Sequence, residues 1–440
     1  MTAELGYHDV MAAPRRGRDG RAVPMTEAMA TIADGSRLYI PSICAVPSAL
    51  VQGLVDERHR WTRLELVADY LIDPLPAFDF PREPFWATSL QPTAAVGSMA
   101  AAGALRRYPV SYAQYAGLLA PEGPLPVDVA LVQVSSPGPE GRFSLGVAAG
   151  ATADVVRTAA RVIAEVNPQM PYTFGAAECD RDQFDLLVEV DHPVVELAVP
   201  SPDDVATAIG FHAAGEIEDG AVLQFGIGAI PESVLGALGG HRDLGLHGGM
   251  VGDAVIDLVE SGVMTGARKS IDPGLLVAAG VIGTRRVFDW VDRNEALLTV
   301  PSAYSHGVPV LARLERFCAV NSAIEVALDG AVNAEMAGDR VVSGPGGQPD
   351  FAIGADLAPG GRSIVALRST AAGGTRSRIV SQLGAGTPTT IPRYLSDRVV
   401  TEHGVARLKG VPLEDRPAAL RAVAHPDFRA TLASEEVTVP

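Results

Sequence analysis

The chain has 440 residues, of which 47% are hydrophobic and 20% are charged. This composition excludes a wholly disordered chain, and the length exceeds the roughly 250–300 residues that a single core usually serves. The apolar residues occur in short runs, without the roughly 18 or more consecutive apolar positions of a membrane-spanning helix. A net charge of −17 opposes binding to a nucleic acid backbone. We therefore expect a soluble protein of two domains with no nucleic acid or membrane partner.

The three cysteines, Cys44, Cys179 and Cys318, are far apart in the chain. Their odd number and wide spacing favour reduced thiols over a disulfide framework or a zinc site. Residues 1–25 are rich in arginine, glycine and proline and lack the apolar stretch of a secretory signal. We therefore predict a cytoplasmic protein that begins with a flexible leader over residues 1–25.

Helical and strand patterns alternate after this leader. Helices are predicted over 26–35, 48–61 and 152–166, and strands over 37–46, 64–72 and 127–136. The strand patterns are continuously apolar, which is typical of strands that are buried on both faces. The sequence therefore predicts an α/β fold with largely parallel sheets covered by helices.

A linker pattern stands near the middle of the chain. The segment LAVPSPDDV, residues 197–205, carries two prolines and two aspartates between a predicted strand and a predicted helix. We place the domain boundary there, which gives an N-terminal domain over 26–198 and a C-terminal domain over 199–440. An Asp-Gly pair precedes a strand, turn and helix pattern in each half, which indicates two domains of similar topology.

The first stretch with chemical character is LQFGIGAIPESV, where Gly226 and Gly228 stand between a predicted strand and helix. Glycines there let a ligand approach the backbone, and the helix N-terminus offers N–H groups to an anion. The third glycine of a dinucleotide fingerprint is missing. We assign Gly226, Gly228 and Ile230 to ligand binding; the alternative is a tight turn.

The second stretch is SGPGGQPDF, residues 343–351. Consecutive N–H groups of such a glycine loop can hold the oxyanion that forms when a carbonyl is attacked. We predict Gly346 and Gly347 as these donors, with Gly344 and Gln348 as ligand contacts. The alternative is a loop that only turns the chain.

The third stretch spans residues 244–262, in which a short strand leads into His247, a glycine pair and an amphipathic helix. Open α/β sheets place ligands where strands end. His247 is a candidate base, a donor that orients the ligand, or a structural histidine, and these alternatives stay open. Asp253, close by in the sequence, is the other candidate base.

Several motifs are absent from the sequence: H-E-x-x-H, C-x-x-C, G-x-S-x-G and the P-loop. Metal and phosphoryl-transfer chemistry are therefore disfavoured. Only two lysines occur, Lys269 and Lys409, which also disfavours Schiff-base chemistry.

These stretches, together with FCAVNSAIEVALDGAVNAE, STAAGGTRSRIV and VVTEHGVARLKG, resemble the acetyl-CoA hydrolase/transferase family in order and spacing. The resemblance runs from about Thr26 to Leu432. It implies two domains of the CoA-transferase type and a coenzyme A thioester as substrate. We predict no permanently bound cofactor and no metal site. A homodimer is the assembly that the resemblance implies.

The resemblance also shows a departure at the nucleophile. The motif written here as His247, Gly248, Gly249 and Met250 normally reads H-T-E-M in the family, and its glutamate attacks the acyl-CoA. Gly249 offers no carboxylate, so a covalent glutamyl-CoA intermediate is excluded by this interpretation. The leading hypothesis is thioester hydrolysis by a water in the vacated space.

Other hypotheses stay open beside hydrolysis. They are CoA transfer to a small carboxylate by direct attack, another acyl-CoA reaction such as carbon–carbon cleavage, and a non-catalytic acyl-CoA-binding partner or regulatory subunit. Cys179 is a further candidate for a substitute nucleophile.

Overall fold

The computed structural model describes residues 6–11, 13–14, 17–79 and 83–434. They form two compact units. The first contains the chain up to residue 198 with 250–253 and 277–305, and the second contains 199–249, 254–276 and the chain from 306 onward. These units are not contiguous in the sequence, because residues 250–253 and 277–305 pack within the first unit. The contiguous domain ranges 26–198 and 199–440 stay a prediction.

The strands are β1 (Arg21–Ala22), β2 (Arg37–Ile40), β3 (Leu64–Ala68), β4 (Phe85–Ser89), β5 (Leu105–Arg107), β6 (Val129–Val134), β7 (Phe143–Ser144), β8 (Arg161–Val166), β9 (Phe174–Gly175), β10 (Glu178–Cys179), β11 (Leu186–Glu189), β12 (Val222–Phe225), β13 (Gly245–Val251), β14 (Leu276–Val281), β15 (Leu297–Thr299), β16 (Phe317–Ser322), β17 (Glu325–Ala327), β18 (Val332–Asn333), β19 (Met336–Ala337), β20 (Arg340–Val341), β21 (Arg362–Ala366), β22 (Thr370–Ala371), β23 (Arg376–Ser377), β24 (Ile379–Val380), β25 (Arg398–Thr401) and β26 (Gly404–Arg407). The α-helices are α1 (Met25–Ala30), α2 (Ser48–Asp56), α3 (Gly97–Ala101), α4 (Tyr115–Leu119), α5 (Gly150–Thr158), α6 (Asp204–Ala214), α7 (Ala229–Gly236), α8 (Asp253–Glu260), α9 (Arg285–Val291), α10 (Ser302–Ser305), α11 (Val308–Leu311), α12 (Gln348–Leu357), α13 (Arg416–Val423) and α14 (Pro426–Ser434).

The first unit is built on an eight-stranded sheet in the order β1-β11-β8-β6-β2-β3-β4-β5. All of its neighbouring strands run parallel. Leu38 and Ile40 face one core, in which Leu50 of α2 packs. Tyr39 faces the opposite core, in which Val155 of α5 packs. The prediction of a parallel sheet covered by helices on both faces is therefore confirmed.

Within the second unit, the strand order is β26-β25-β21-β16-β12-β13. These strands pair in parallel, apart from β26, which is antiparallel to β25. Phe317 of β16 shares a core with Leu311 of α11 and Phe351 of α12. Because all these strands but β26 point the same way, the loops that follow β12, β13 and β16 leave from one edge of the sheet.

The helix predicted over 152–166 is wrong in its second half. Helix α5 ends at Thr158, and residues 161–166 form β8, which pairs with β6 and β11. Ala159 leaves the helical conformation with ψ of 147°. The β-branched residues Val162 and Ile163 are then fully buried in the sheet, the environment that such side chains favour.

The described part of the leader is packed on the first unit, whereas the sequence predicts a flexible segment over 1–25. The guanidinium of Arg18 donates to the carbonyl oxygens of Gln183, at 2.9 Å, and Ala159, at 2.6 Å. It also forms an ion pair with Asp185 at 3.1 Å. Residues of β1 then extend the sheet beside β11. These backbone and charge contacts give residues 18–22 defined partners.

Asp69, which directly follows β3, gives the first unit a predicted pH dependence. Its side chain is 3% exposed, and burial raises its pKa to about 6. Because the folded pKa is raised, this carboxyl stabilises the fold below about pH 4, and that contribution is lost as the pH rises through 6. The free energy of unfolding falls by roughly 3 kcal/mol over this pH range.

Asp69→Asn keeps the shape of the side chain but cannot ionise. We expect urea unfolding of this variant to show a smaller fall in stability between pH 4 and pH 7 than the wild type shows. Asp73→Asn, at an exposed position nearby, is the control and should follow the wild type. Parallel pH curves for wild type and Asp69→Asn would contradict the assignment.

Candidate functional site

The turn after β12 leaves open space above its glycines. A Cβ atom at Gly226 or Gly228 would have no described atom within 4 Å. Gly228 has φ of +122°, a conformation that L side chains rarely adopt, so this position requires glycine. Ile230 lies in the first turn of α7 and is partly exposed. The three predicted ligand contacts therefore share one accessible turn.

The strand predicted to end at His247 continues through the glycine pair to Val251. The His247 side chain is fully buried. A Cβ at Gly248 would lie 3.0 Å from Cγ of Gln224, on the neighbouring strand β12. Gln224 in turn exchanges two side-chain hydrogen bonds with Asn321 of β16, at 2.9 and 3.2 Å. This amide pair ties the carboxyl ends of β12 and β16 together beside the glycines.

A buried lysine binds the backbone of the same strand. The Nζ of Lys269 donates to the carbonyl oxygens of Leu246, at 3.1 Å, and Leu275, at 2.8 Å. Burial lowers the pKa of this lysine to about 8. One of these carbonyl oxygens belongs to the residue before His247 and the other to the residue before β14, so Lys269 links the backbone of β13 to the start of β14.

Gly249 faces the imidazole ring of His306. A Cβ at Gly249 would lie 3.4 Å from both Cε1 and Nε2 of that ring. His306 directly precedes Gly307 and α11, is 4% exposed, and packs its ring 4.3 Å from the Phe351 ring, centroid to centroid. Burial lowers the pKa of His306 to about 3, so the imidazole is uncharged at neutral pH.

The predicted glycine loop meets the same histidine from the other side. A Cβ at Gly347 would lie 2.4 Å from Cδ2 and 2.5 Å from Nε2 of His306, closer than real Cβ contacts. Gly346 has φ of +55°, in the left-handed region. Gly347 is the N-cap of α12, and Gly344 is buried in the loop before it. The Nε2 of Gln348 is buried without a hydrogen-bond partner among the described residues.

Asp253 belongs to the first unit, whereas the other nine predicted site residues belong to the second. Its carboxylate accepts hydrogen bonds from the N–H and hydroxyl of Thr284, both at 2.9 Å, and from the N–H of Val287 at 3.1 Å. Thr284 is the N-cap of α9 and Val287 lies in its first turn, where helix N–H groups lack a carbonyl partner four residues earlier. The geometry therefore gives Asp253 a helix-capping role.

Cys179 is unsuited to be a substitute nucleophile. Burial raises the pKa of its thiol to about 12, and its Sγ points to the carbonyl oxygen of Ala177 at 3.6 Å. A thiol attacks only as the thiolate, which burial disfavours here.

Among the described residues, no three histidine, cysteine or acidic side chains are grouped so that they could hold a metal ion. Within the same ranges, no helix combines the length and the apolar character needed to cross a membrane.

The structure thus brings Gly249 and Gly347 to one imidazole ring in the second unit. His306 is the residue that the sequence analysis missed. No motif marks it, and it lies 57 positions after Gly249 in the sequence. Its signal is spatial, because the parallel strand order places β13 and the start of α12 on either side of it.

Comparison with known proteins identifies the family. Residues 21–195 match the acetyl-CoA hydrolase/transferase N-terminal domain, and residues 283–436 match the acetyl-CoA hydrolase/transferase C-terminal domain. The 4-hydroxybutyrate coenzyme A transferase of Clostridium kluyveri is 43% identical over 311 residues, which cover 71% of this chain and 72% of that protein. The chain belongs to the acetyl-CoA hydrolase/transferase family.

Similar proteins are named either as CoA transferases or as acetyl-CoA hydrolases. An acetyl-CoA hydrolase of Neurospora crassa is 26% identical over 333 residues, covering 66% of this chain and 61% of that protein. Among solved structures, RipA from Yersinia pestis superposes with a TM-score of 0.87 at 31% identity, covering 95% of this chain and 97% of RipA.

The 4-hydroxybutyrate CoA-transferase of Porphyromonas gingivalis gives a TM-score of 0.78 at 32% identity, covering 94% of this chain and 97% of that one. The predicted CoA-transferase-type fold and the resemblance to the acetyl-CoA hydrolase/transferase family are therefore confirmed.

Proposed function

We propose that this protein processes acyl-CoA thioesters, by hydrolysis or by CoA transfer to a small carboxylate, without a covalent glutamyl-CoA intermediate. One observation supports the absence of a covalent glutamyl-CoA intermediate. Gly249, where the family resemblance implies a nucleophilic glutamate, has no side chain and faces an uncharged, buried imidazole. Family membership supports the processing of acyl-CoA thioesters, because relatives are named both as CoA transferases and as acetyl-CoA hydrolases.

The glycine segments are the proposed contacts of the substrate. The open turn at Gly226 and Gly228 would let the ligand approach the backbone closely. The N–H groups of Gly346 and Gly347, at the start of α12, would face the oxyanion that forms on the thioester carbonyl. Coenzyme A enters as part of the substrate, and we propose no permanently bound cofactor.

Incubation of the purified protein with a panel of acyl-CoA esters tests the function. We expect release of free CoA from at least one ester, measured with a thiol reagent, in the absence of any acceptor. Parallel reactions with small carboxylates distinguish transfer, because a new acyl-CoA would form. If all esters stay intact under both conditions while calorimetry shows that they bind, the protein is a binding subunit and the proposal fails.

Gly249→Glu tests the position of the missing nucleophile. The new Cβ fits beside His306 at 3.4 Å, an ordinary contact distance at its tight limit. We expect the introduced carboxylate to form a glutamyl-CoA thioester, seen as a mass increase of the intact protein after addition of acyl-CoA. Gly249→Gln, which has the same length but no nucleophilic carboxylate, is the control. A folded Gly249→Glu variant with no adduct would place residue 249 away from the thioester.

We further propose that the protein is a cytoplasmic homodimer. Large apolar side chains that are mostly exposed support an assembly, among them Phe211 at 73% and Tyr394 at 75%. Light scattering at micromolar concentration should give about twice the chain mass of 45.8 kDa. A stable particle of the chain mass would contradict this prediction.

A further inference from the structure

His306 occupies a position that two glycines keep free. Its ring lies within 3.4 Å of the Cβ position of Gly249 and within 2.5 Å of that of Gly347. The methyl group of an alanine at residue 347 would overlap the ring. The present position of the His306 ring therefore requires glycine at residue 347. The edge that carries Nε2 and the adjacent ring carbons therefore points toward both glycines.

The two glycines are the positions to which the proposed function assigns the missing nucleophile and the oxyanion donor. The ring fills the space between these two glycines, so a thioester carbon that approaches the backbone beside either glycine would have the ring as a neighbour. Phe351 packs against the ring at 4.3 Å and limits its rotation. The imidazole is thus held by packing in one orientation beside the proposed reaction centre.

We propose that His306 is the general base that activates water for thioester hydrolysis, in place of the family's covalent carboxylate. This inference rests on the proposed function and adds the residue that performs its first step. An uncharged imidazole has one ring nitrogen able to accept a proton, and burial keeps His306 in that form. A positioned base contributes about 10²–10⁴-fold to a rate when its pKa lies near the operating pH. The negative charge that develops on the thioester oxygen beside the ring would raise the pKa of His306 in that direction.

The proposed reaction balances without any further reactant. A water molecule gives one proton to His306 while its oxygen forms a bond to the thioester carbon, and the carbonyl electrons move to the oxygen. The C–S bond then breaks, its electron pair leaves with the CoA sulfur, and that sulfur takes the proton from the imidazolium. The products are a carboxylic acid and free CoA. The negative oxygen forms together with the imidazolium, so the buried positive charge has a counter-charge.

His306→Gln is the direct test, with CoA release from the best ester of the panel as the readout. We expect release to fall about 100-fold, while binding of a dethia acyl-CoA analogue, in which a methylene replaces the thioester sulfur, changes less than threefold. In His306→Gly, added imidazole should restore release in proportion to its concentration, because the space between the two glycines is then vacant. His241→Gln is the matched control, since His241 contacts only the carbonyl oxygens of Leu238 and Ile217 in the hydrogen bonds described for it.

The outcomes separate this inference from the proposed function. If the wild type releases CoA and a folded His306→Gln variant releases it within threefold of that rate, the inference fails and the function stands. If the wild type acts on no ester, the proposed function fails and the inference, which rests on it, fails with it. In an active wild type, the nuclear magnetic resonance signal of the His306 ring, assigned through its contact with Phe351, should shift when the dethia analogue binds, and an unchanged signal overturns the inference.

Discussion

Gly347→Ala is expected to lower acyl-CoA turnover about a hundredfold, because the added methyl group and the His306 ring cannot occupy the same space. The backbone at residue 347 has φ of −86°, which alanine adopts freely, so backbone strain does not cause the effect. The Cβ would lie 2.4 Å from Cδ2 of His306 and 2.8 Å from Cε2 of Phe351. The ring must therefore move away from Gly249, at an overpacking cost of about 1–3 kcal/mol in stability.

Three further variants show whether the ring is responsible. Gly239→Ala is the control for the added methyl group, since a Cβ there has no described atom within 4 Å. Gly346→Ala instead strains the backbone, because φ is +55°, and should lower the free energy of unfolding by about 1 kcal/mol. A His306→Ala, Gly347→Ala double variant should regain the stability lost in Gly347→Ala alone. A normal rate in folded Gly347→Ala would make the loop only a turn.

The parallel sheets could be predicted because their strands are continuously apolar. The patterns at 37–46 and 127–136 correspond to β2 and β6, which lie side by side in the first unit. The helix predicted over 152–166 failed because its apolar spacing fits either structure over a short run. Burial between β6 and β11 decides for a strand at 161–166, and that neighbourhood is a property of the fold.

The candidate site was predictable only where glycines mark it. Gly228 and Gly346 have positive φ values, and both stand in sequence patterns that indicate a turn. His306 follows no pattern, since its relation to Gly249 exists only in three dimensions. Asp253 shows the opposite case. It is close to His247 in the sequence, which suggested a catalytic base, but its carboxylate caps α9.

The largest predicted loss of stability comes from a carboxylate in the first unit that takes no part in this site. Glu165 of β8 has a fully buried side chain. It accepts hydrogen bonds from the N–H of Leu50, at 2.9 Å in the first turn of α2, and from Nε2 of Gln133 at 2.8 Å. The Nε2 of His192 lies 3.0 Å from the same carboxylate. One residue thus joins two strands, a helix start and the segment after β11.

Glu165→Ala leaves these donors without their acceptor in a buried place. We expect the free energy of unfolding in urea to fall by about 3–5 kcal/mol, as for other buried ion pairs that lose one partner. Glu189→Ala, an exposed glutamate on the adjacent strand β11, is the matched control and should change it by less than about 0.5 kcal/mol.

The same pair predicts how that loss varies with pH. The hydrogen bond to Glu165 raises the pKa of His192, and its Nδ1 lies 3.0 Å from another acceptor, the carbonyl oxygen of Pro193. The doubly protonated ring fits both partners. Its stabilising contribution is therefore complete below about pH 6.5, the ordinary histidine value, and is lost as the pH rises through the raised pKa. The difference between wild type and Glu165→Ala should accordingly be larger at pH 6 than at pH 9, and an equal difference at both would show that the charge on His192 adds nothing.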